Sequence, residues 1–299
     1  MTWTDIVTSA LVLINEATPG ETLNPDEAFD GGNVFNALLA AWNLVEEHVF
    51  VVSNYQAALT ASTGSYQIGV GATSPGFNTI RPVKIESAGV ILGGVRTPLE
   101  IINSTKWAAI NDKAATALVP SLLYNDNNYP LATLNLWPRP SGTPTLDLFF
   151  WGEFTSVTNY KYTDLVVDAT NANQVTSAGR PFTSADIGNF INVGNQVFGF
   201  TPGRYAINSV ATGKATLSAN VGTTGTTGGI GTYDSTADFP PGYLKAIRYN
   251  LAVDLAPEYG RSPDPSVMQI AGASLAALRA LNESNELGTE QPPAPVLQQ

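Results

Sequence analysis

Apolar positions open the chain at helical spacing. Ile6, Val7, Ala10, Leu11 and Ile14 follow the polar start Thr4-Asp5, and Pro19-Gly20 ends the run. A second helix is predicted from Asn24-Pro25-Asp26-Glu27, which places an N-cap, a proline at the first helical position and acids in the first turn. Its stripe is Phe35, Leu38, Leu39, Trp42, Val45 and Val49. Gly31-Gly32 is read as a split, which leaves Asn33 to His48 as the solid part. From about Val51 the period changes to alternation. Strands are predicted around Gly64–Gly69, Arg81–Ile85, Leu131–Pro138 and Thr145–Trp151, interrupted by one short helix with Ser104 or Thr105 as N-cap.

Residues 160 to 236 are dominated by Thr, Ser, Gly, Asn and Val and read as a small inserted all-β module. Its strands are predicted at Leu165–Asp168, Phe190–Val193, Gly203–Val210 and Ala215–Ser218. Thr183–Gly188 is read as one helical turn, and Gly222–Gly231 as a flexible loop. Helix returns after Pro240-Pro241-Gly242. Leu244, Ile247, Leu251 and Leu255 form one stripe, ended by Pro257. Val267, Ala271, Ser274, Leu278 and Leu281 form the last, after Ser262-Pro263-Asp264-Pro265. Residues 286–299, with Gln291-Pro292-Pro293-Ala294-Pro295, read as a flexible tail.

The expected fold class is therefore α+β. Neither helix pair hides its stripe alone, so 1–50 and 238–285 are expected to pack as one helical bundle. A β-rich domain (51–158) and the β module (160–236) would be excursions from it. The chain of 299 residues is long enough for about two such bodies.

Composition narrows the function. Fourteen basic and 25 acidic residues give a net charge of −11, which argues against gripping DNA or an anionic membrane by bulk attraction. No cysteine is present, so disulfides, thiolate metal sites and cysteine nucleophiles are excluded. The single histidine, His48, beside Glu46 and Glu47, reads as a helix C-terminal cation rather than a catalytic base. No apolar run is long enough to span a membrane, and the N-terminus, with Asp5, does not read as a signal peptide.

Chemical motifs are sparse. No phosphate loop or nucleophile elbow occurs, and Gly64, Gly69, Gly71 and Gly76 read as turns. Asn125-Asp126-Asn127-Asn128 has calcium-like composition but reads as a polar turn. Asp147 with Glu153, or Asp254 with Glu258, would serve a glycosidic or muralytic enzyme only if two carboxylates converged. Trp137, Phe149, Phe150 and Trp151 fit either a strand core or a stacking platform. No catalytic residue, metal site or cofactor is expected.

Three segments share a likeness. They are Pro98-Leu99-Glu100-Ile101-Ile102 with Trp107-Ala108-Ala109-Ile110; Tyr129-Pro130-Leu131 with Leu136-Trp137-Pro138-Arg139-Pro140; and Pro240-Pro241-Gly242-Tyr243, Ala246, Tyr249-Asn250-Leu251-Ala252-Val253 and Leu255-Ala256-Pro257-Glu258-Tyr259-Gly260. With the N-terminal helix pair they resemble the head-to-tail adaptors of short-tailed double-stranded DNA phages, also called tail accessory or head-completion proteins, over about 1–155 and 238–283. The resemblance implies a virion neck protein, assembled in the host cytoplasm. It implies docking under the portal protein as a ring of twelve copies, a platform for the tail nozzle protein, and a channel through which DNA passes without specific binding. The 160–236 module departs from this pattern. It resembles small β modules of phage structural and fibre proteins, is expected to project outward, and would suit a tail fibre, another tail part or a glycan.

Interface candidates on this reading are Tyr243, Tyr249 and Asn250 for bundle or subunit packing. Arg248 and Arg261 are candidates to pair with Asp254 or Glu258 of an adjacent subunit. The competing reading is a carbohydrate-binding or host-recognition tail protein, which requires exposed aromatics on the module.

Overall fold

The computed structural model describes residues 1–44, 52–194, 197–239 and 242–287. His48, Val45, Val49, Pro240-Pro241 and the tail from 288 onward lie outside the described residues. The helices are α1 (Trp3–Leu13), α2 (Pro25–Leu44), α3 (Ser104–Ala108), α4 (Tyr243–Glu258) and α5 (Pro265–Leu287). The strands are β1 (Val52–Ala58), β2 (Ser65–Ile68), β3 (Pro82–Leu92), β4 (Val95–Ile102), β5 (Thr116–Ala117), β6 (Leu122–Asn125), β7 (Ala132–Trp137), β8 (Arg139–Pro140) and β9 (Thr145–Gly152). They continue with β10 (Lys161–Val167), β11 (Gln174–Thr176), β12 (Phe190–Val193), β13 (Gly203–Ala211), β14 (Lys214–Leu217) and β15 (Gly229–Asp234). The fold is mixed α+β: N- and C-terminal helices that pack together, a curled seven-stranded sheet and an inserted six-stranded barrel.

Two compact units divide the chain. One contains 1–41 and 156–281, and the other is built on Trp42–Thr155. In the first, α1 packs on α4. Ile6, Val7, Ala10, Leu11 and Ile14 are all buried, as their spacing predicts. The expected break at Gly31-Gly32 is absent: α2 runs straight through it. A Cβ on Gly31 would lie 2.5 Å from Val7, and one on Gly32 would lie 2.8 Å from the Trp3 ring. These glycines set the approach of α1 to α2 and do not break the helix.

The starts of α2 and α5 follow their polar signals, whereas α1 begins earlier than Thr4-Asp5, at Trp3 with Thr2 as its N-cap and Asp5 closing a capping box. The Asn24 Oδ1 accepts from Asp26 N at 3.2 Å, and the Asp264 Oδ1 from Ser266 N at 2.8 Å. For α3 the cap is Asn103, one residue before the expected Ser104: its Oδ1 accepts from Lys106 N at 2.9 Å. On α4, Tyr243, Ala246, Ile247, Leu251, Ala252, Leu255 and Ala256 are buried. Leu244, assigned to that stripe by spacing, is 36% exposed. On α5, Val267, Ala271 and Leu278 are buried, as expected.

The barrel closes in the order β10-β11-β14-β13-β12-β15, antiparallel throughout. Its interior holds Tyr162, Leu165, Val175, Ile191, Val193, Tyr205, Ile207 and Tyr233. The predicted loop at 222–231 is corrected in its last residues, because β15 begins at Gly229. A Cβ at Gly229 would meet the Phe200 ring at 2.3 Å, and one at Gly231 would meet the Asn192 carbonyl at 3.0 Å. Glycine serves here as a strand residue under crowding.

The outer face of β12, β13 and β15 is tied to the N-terminus by polar groups. Asp234, with no exposure, accepts from Thr4 Oγ1 at 2.6 Å and lies 3.0 Å from Arg204 Nη2. Arg204 Nη1 also donates to Asp5 at 2.7 Å, and its Nη2 to Thr2 Oγ1 at 2.6 Å. Thr232 Oγ1 donates to the Pro25 carbonyl at 2.6 Å. Burial pushes the Asp234 carboxyl above the usual carboxylate range, against the pull of Thr4 and Arg204. Burial also acts upward on Asp5, but the Thr2 amide and Arg204 outweigh it and hold that carboxyl low.

The second unit is the seven-stranded sheet, in the order β1-β9-β3-β4-β6-β7-β2. The β4–β6 pair is parallel and the remaining ladders are antiparallel. Its core holds Tyr66, Ile68, Val90, Leu123, Leu134, Leu136, Leu146, Leu148 and Phe150. A two-residue β5–β8 ladder stands beside it.

Two predictions follow the packing. Gly32→Ala gains helix propensity but overpacks against Trp3, and is expected to lose about 1–3 kcal/mol. Gly272→Ala, in the same helical context with nothing within 4 Å of the new carbon, is expected to gain up to about 1 kcal/mol. Urea midpoints of the two variants check the contrast. Arg204→Met strands Asp234 and Asp5, and is expected to cost about 3–5 kcal/mol near neutral pH. The deficit narrows as pH falls. Asp234, with its raised pKa, regains a proton first and needs no counter-charge, and the benefit Arg204 gives Asp5 is lost as that carboxyl protonates. Denaturation across an acid-to-neutral pH series measures this. A deficit constant with pH refutes it.

Candidate assembly interface

The interface candidates lie on α4 and the turn beyond it. Tyr243 is 2% exposed at the start of the helix and belongs to the bundle interior. Asn250 joins the two C-terminal helices: its Nδ2 donates to the Ala246 carbonyl at 2.8 Å within α4 and to the Ala271 carbonyl of α5 at 3.3 Å. Tyr249 is half-buried, with the Arg248 guanidinium 5.8 Å from its ring centroid. Arg248 Nε donates to the Ser9 carbonyl of α1 at 3.1 Å. Arg261 pairs with Glu16 within the same chain. Both arginines thus have partners at home. Asp254 and Glu258 are exposed.

The structure brings Glu258 into a grouping that sequence order hides. Asp26, Glu27 and Asp30, at the start of α2, line a cleft of about 410 Å³ together with Leu255, Glu258 and Tyr259 from the end of α4. Lys161 pairs with Asp26 at its edge. The Tyr259 phenol is pushed up to about 12, first by burial and then by Glu27, Asp30, Glu16 and Glu258. Two of these acids are accounted for locally, because carboxylates in a first helical turn meet the positive end of the helix dipole. Glu258 adds charge to them. Outside the cleft, α5 exposes Met268, at 47%, and small residues including Gly272, Ala273, Ala276 and Ala277.

Of the two carboxylate pairs considered for hydrolysis, Asp254 and Glu258 lie exposed on α4, and Asp147 and Glu153 are engaged by arginines on and beside the seven-stranded sheet. Asp147 is 3% exposed and accepts from Arg96 Nε at 2.6 Å, Gln56 Nε2 at 2.9 Å and Asn54 Nδ2 at 3.1 Å. Burial acts to raise its pKa, but these three donors outweigh it and hold the carboxyl below the usual range. Such a group is an anion, not a proton donor, near neutral pH. Glu153 accepts from Arg81 Nε at 3.2 Å and Nη2 at 2.9 Å. Among the aromatics, Phe150 is core and Phe149 is 37% exposed. Trp151 carries Lys84 5.7 Å from its ring, and Trp137 Nε1 donates to the Asp112 carbonyl at 2.7 Å.

Asn125 ends β6, and 126–128 enter the polar connection to β7. Asp126 Oδ1 accepts from Asn128 N at 3.1 Å and from Thr133 N at 2.6 Å. Among the described residues no group of three His, Asp or Glu side chains is placed to hold a metal ion. No described helix is long and apolar enough to cross a membrane. In comparisons with known proteins, no family model and no curated protein matches the chain.

Asp147→Asn tests the sheet network. The low carboxyl pKa means that its contribution is complete above the unfolded value, about 3.9, and is lost as pH falls through the folded value. The variant is expected to be about 1.5–3 kcal/mol less stable at neutral pH and to match the parent at acid pH. Parallel urea titrations read this, and an undiminished gap in acid would be contrary.

Proposed function

We propose that this chain is a structural subunit of a phage neck, forming a ring that joins the portal to the tail and prolongs the DNA channel. The observation that carries this reading is the placement of α4. The segment with the most specific likeness to head-to-tail adaptors, 240–260, contains α4, which touches both the first helix and the last. It packs on α1, and Asn250 ties it to α5. Head-to-tail closure of a ring requires each subunit to present two different, complementary faces. The acidic cleft at Glu258 and the exposed small-residue side of α5 are two chemically different surfaces, which supports the first of these requirements. A net charge of −11 suits a wall along which DNA moves, because few phosphate counterions are released on contact.

On this reading the partners are the portal protein, further copies of the chain, the tail nozzle protein and, through the barrel, a tail fibre. The competing reading, a carbohydrate-binding or host-recognition tail protein, asks for an aromatic platform on the barrel. Tyr162, Phe182, Phe200, Tyr205 and Tyr233 instead fill the barrel interior, and Phe198 is the fully exposed ring.

Native mass spectrometry of the full chain, alone and mixed with the portal ring from the same genome, tests the proposal. The expected result is a portal-dependent gain of several copies matching the portal's symmetry. Absence of association with an intact portal overturns it and favours glycan screening instead.

A further inference from the structure

A cleft of about 470 Å³ lies where α1 and the 19–23 segment meet the outer face of β12 and β13 and the middle of α4. Asn192 forms part of its wall. Along β12, Ile191 and Val193 face the barrel core, so Asn192 faces outward, toward α1. It is 2% exposed, and its Oδ1 is buried without a hydrogen-bond partner. Across the ladder stands Arg204, whose Nε is likewise buried and unpartnered. Buried polar atoms are paired in nearly all native proteins, and an orphan marks strain, water or a missing ligand. The third group is Arg248. Its Nε is taken by the Ser9 carbonyl, whereas its two terminal nitrogens make no hydrogen bond to any described residue.

Two carboxylates share the cleft, and both are occupied. Asp5 accepts from Arg204 at 2.7 Å and from the Thr2 amide at 2.9 Å, and Glu21 from the Thr18 amide at 2.8 Å. The unused capacity is therefore a forked cation and a carboxamide. A free guanidinium fork matches a carboxylate or phosphate. A carboxamide bonds a hydroxyl through either of its atoms, and half a turn about its terminal bond exchanges oxygen for nitrogen. The volume falls in the range of pockets that hold small organic ligands.

We infer that this cleft receives a small polyhydroxyl ligand bearing an oxyanion, carboxylate or phosphate, with the anion on Arg248 and a neighbouring hydroxyl on Asn192. The inference does not depend on ring formation, and its test needs no portal.

Isothermal titration of the full chain with glucuronate, glucose 6-phosphate and neutral glucose reads it, the first two separating carboxylate from phosphate. At least one of the acidic sugars is expected to saturate below about 10 mM and to bind about tenfold tighter than glucose. Arg248→Met is expected to abolish that preference. Asn192→Leu, which removes the orphan amide at similar volume, is expected to raise the thermal midpoint while weakening the bound sugar about tenfold. A residue with a purely structural part would change stability and leave affinity untouched. Failure of both acidic sugars to saturate, or unchanged affinity in both variants, overturns the inference.

Discussion

A carboxylate with no exposure to solvent, Asp234, governs how the first unit is put together. An ionised carboxyl inside a protein is tolerated only where donors and a counter-charge surround it. Those groups are Thr4 and Arg204, with Thr2 and Asp5 completing the cluster. They come from the first five residues of the chain and from two barrel strands about 200 residues later. The barrel therefore cannot be completed as a docked body until the N-terminus has arrived. Closing so long a loop is slow but costs only logarithmically with length. The same residues also start α1, where the Asp5 carboxylate accepts from the Thr2 amide at 2.9 Å. One short segment caps a helix and seats a barrel. Because α4 follows β15 after a short connection, the seat also positions the helix that meets α1.

Elements with a strong period were legible from the chain. Ile6, Val7, Ala10 and Leu11 on α1, and Val267, Ala271 and Leu278 on α5, are buried as 3.6-residue spacing demands. Phe190–Val193 is a strand over the predicted residues. What escaped depends on neighbours far away in sequence. Gly31-Gly32 and Gly229 look like local breakers, and their reason is a Val7 methyl, a Trp3 ring and a Phe200 ring pressed against them. The signal for β15 is weakened by the very glycines its packing requires. Leu244 shows the reverse error: its spacing fits the stripe, but the buried face of α4 is centred nearer Tyr243, Ile247 and Leu251.

The candidate interface was legible as a segment but not as a surface. Motif order singled out 240–260, and from Tyr243 onward that stretch is one helix with its closing turn. Charge pairing across a fold has no sequence period, however. Nothing along the chain links Arg261 to Glu16, Arg248 to the Ser9 carbonyl, or Glu258 to the acids of α2. Asp147 taught the same lesson. As a lone acid on a strand it invites a catalytic reading, until Arg96, Gln56 and Asn54 are seen to converge on it.

The docking of the barrel also divides its surface into two regimes. Asn192, Arg204, Thr232 and Asp234 lie on the side turned to the helices, where a substitution meets buried charge and loses partners at once. Ile187 and Phe198 stand on the connections leading into and out of β12, at 46% and 101% exposure, and carry no such obligation. Variation is inexpensive on those connections and costly on the docked face. An inserted module of this kind can therefore change what its free loops meet while keeping its hold on α1. The unpaired amide of Asn192 is the exception on the constrained side. Packing alone would favour an apolar residue there, so the presence of a carboxamide needs a reason other than stability.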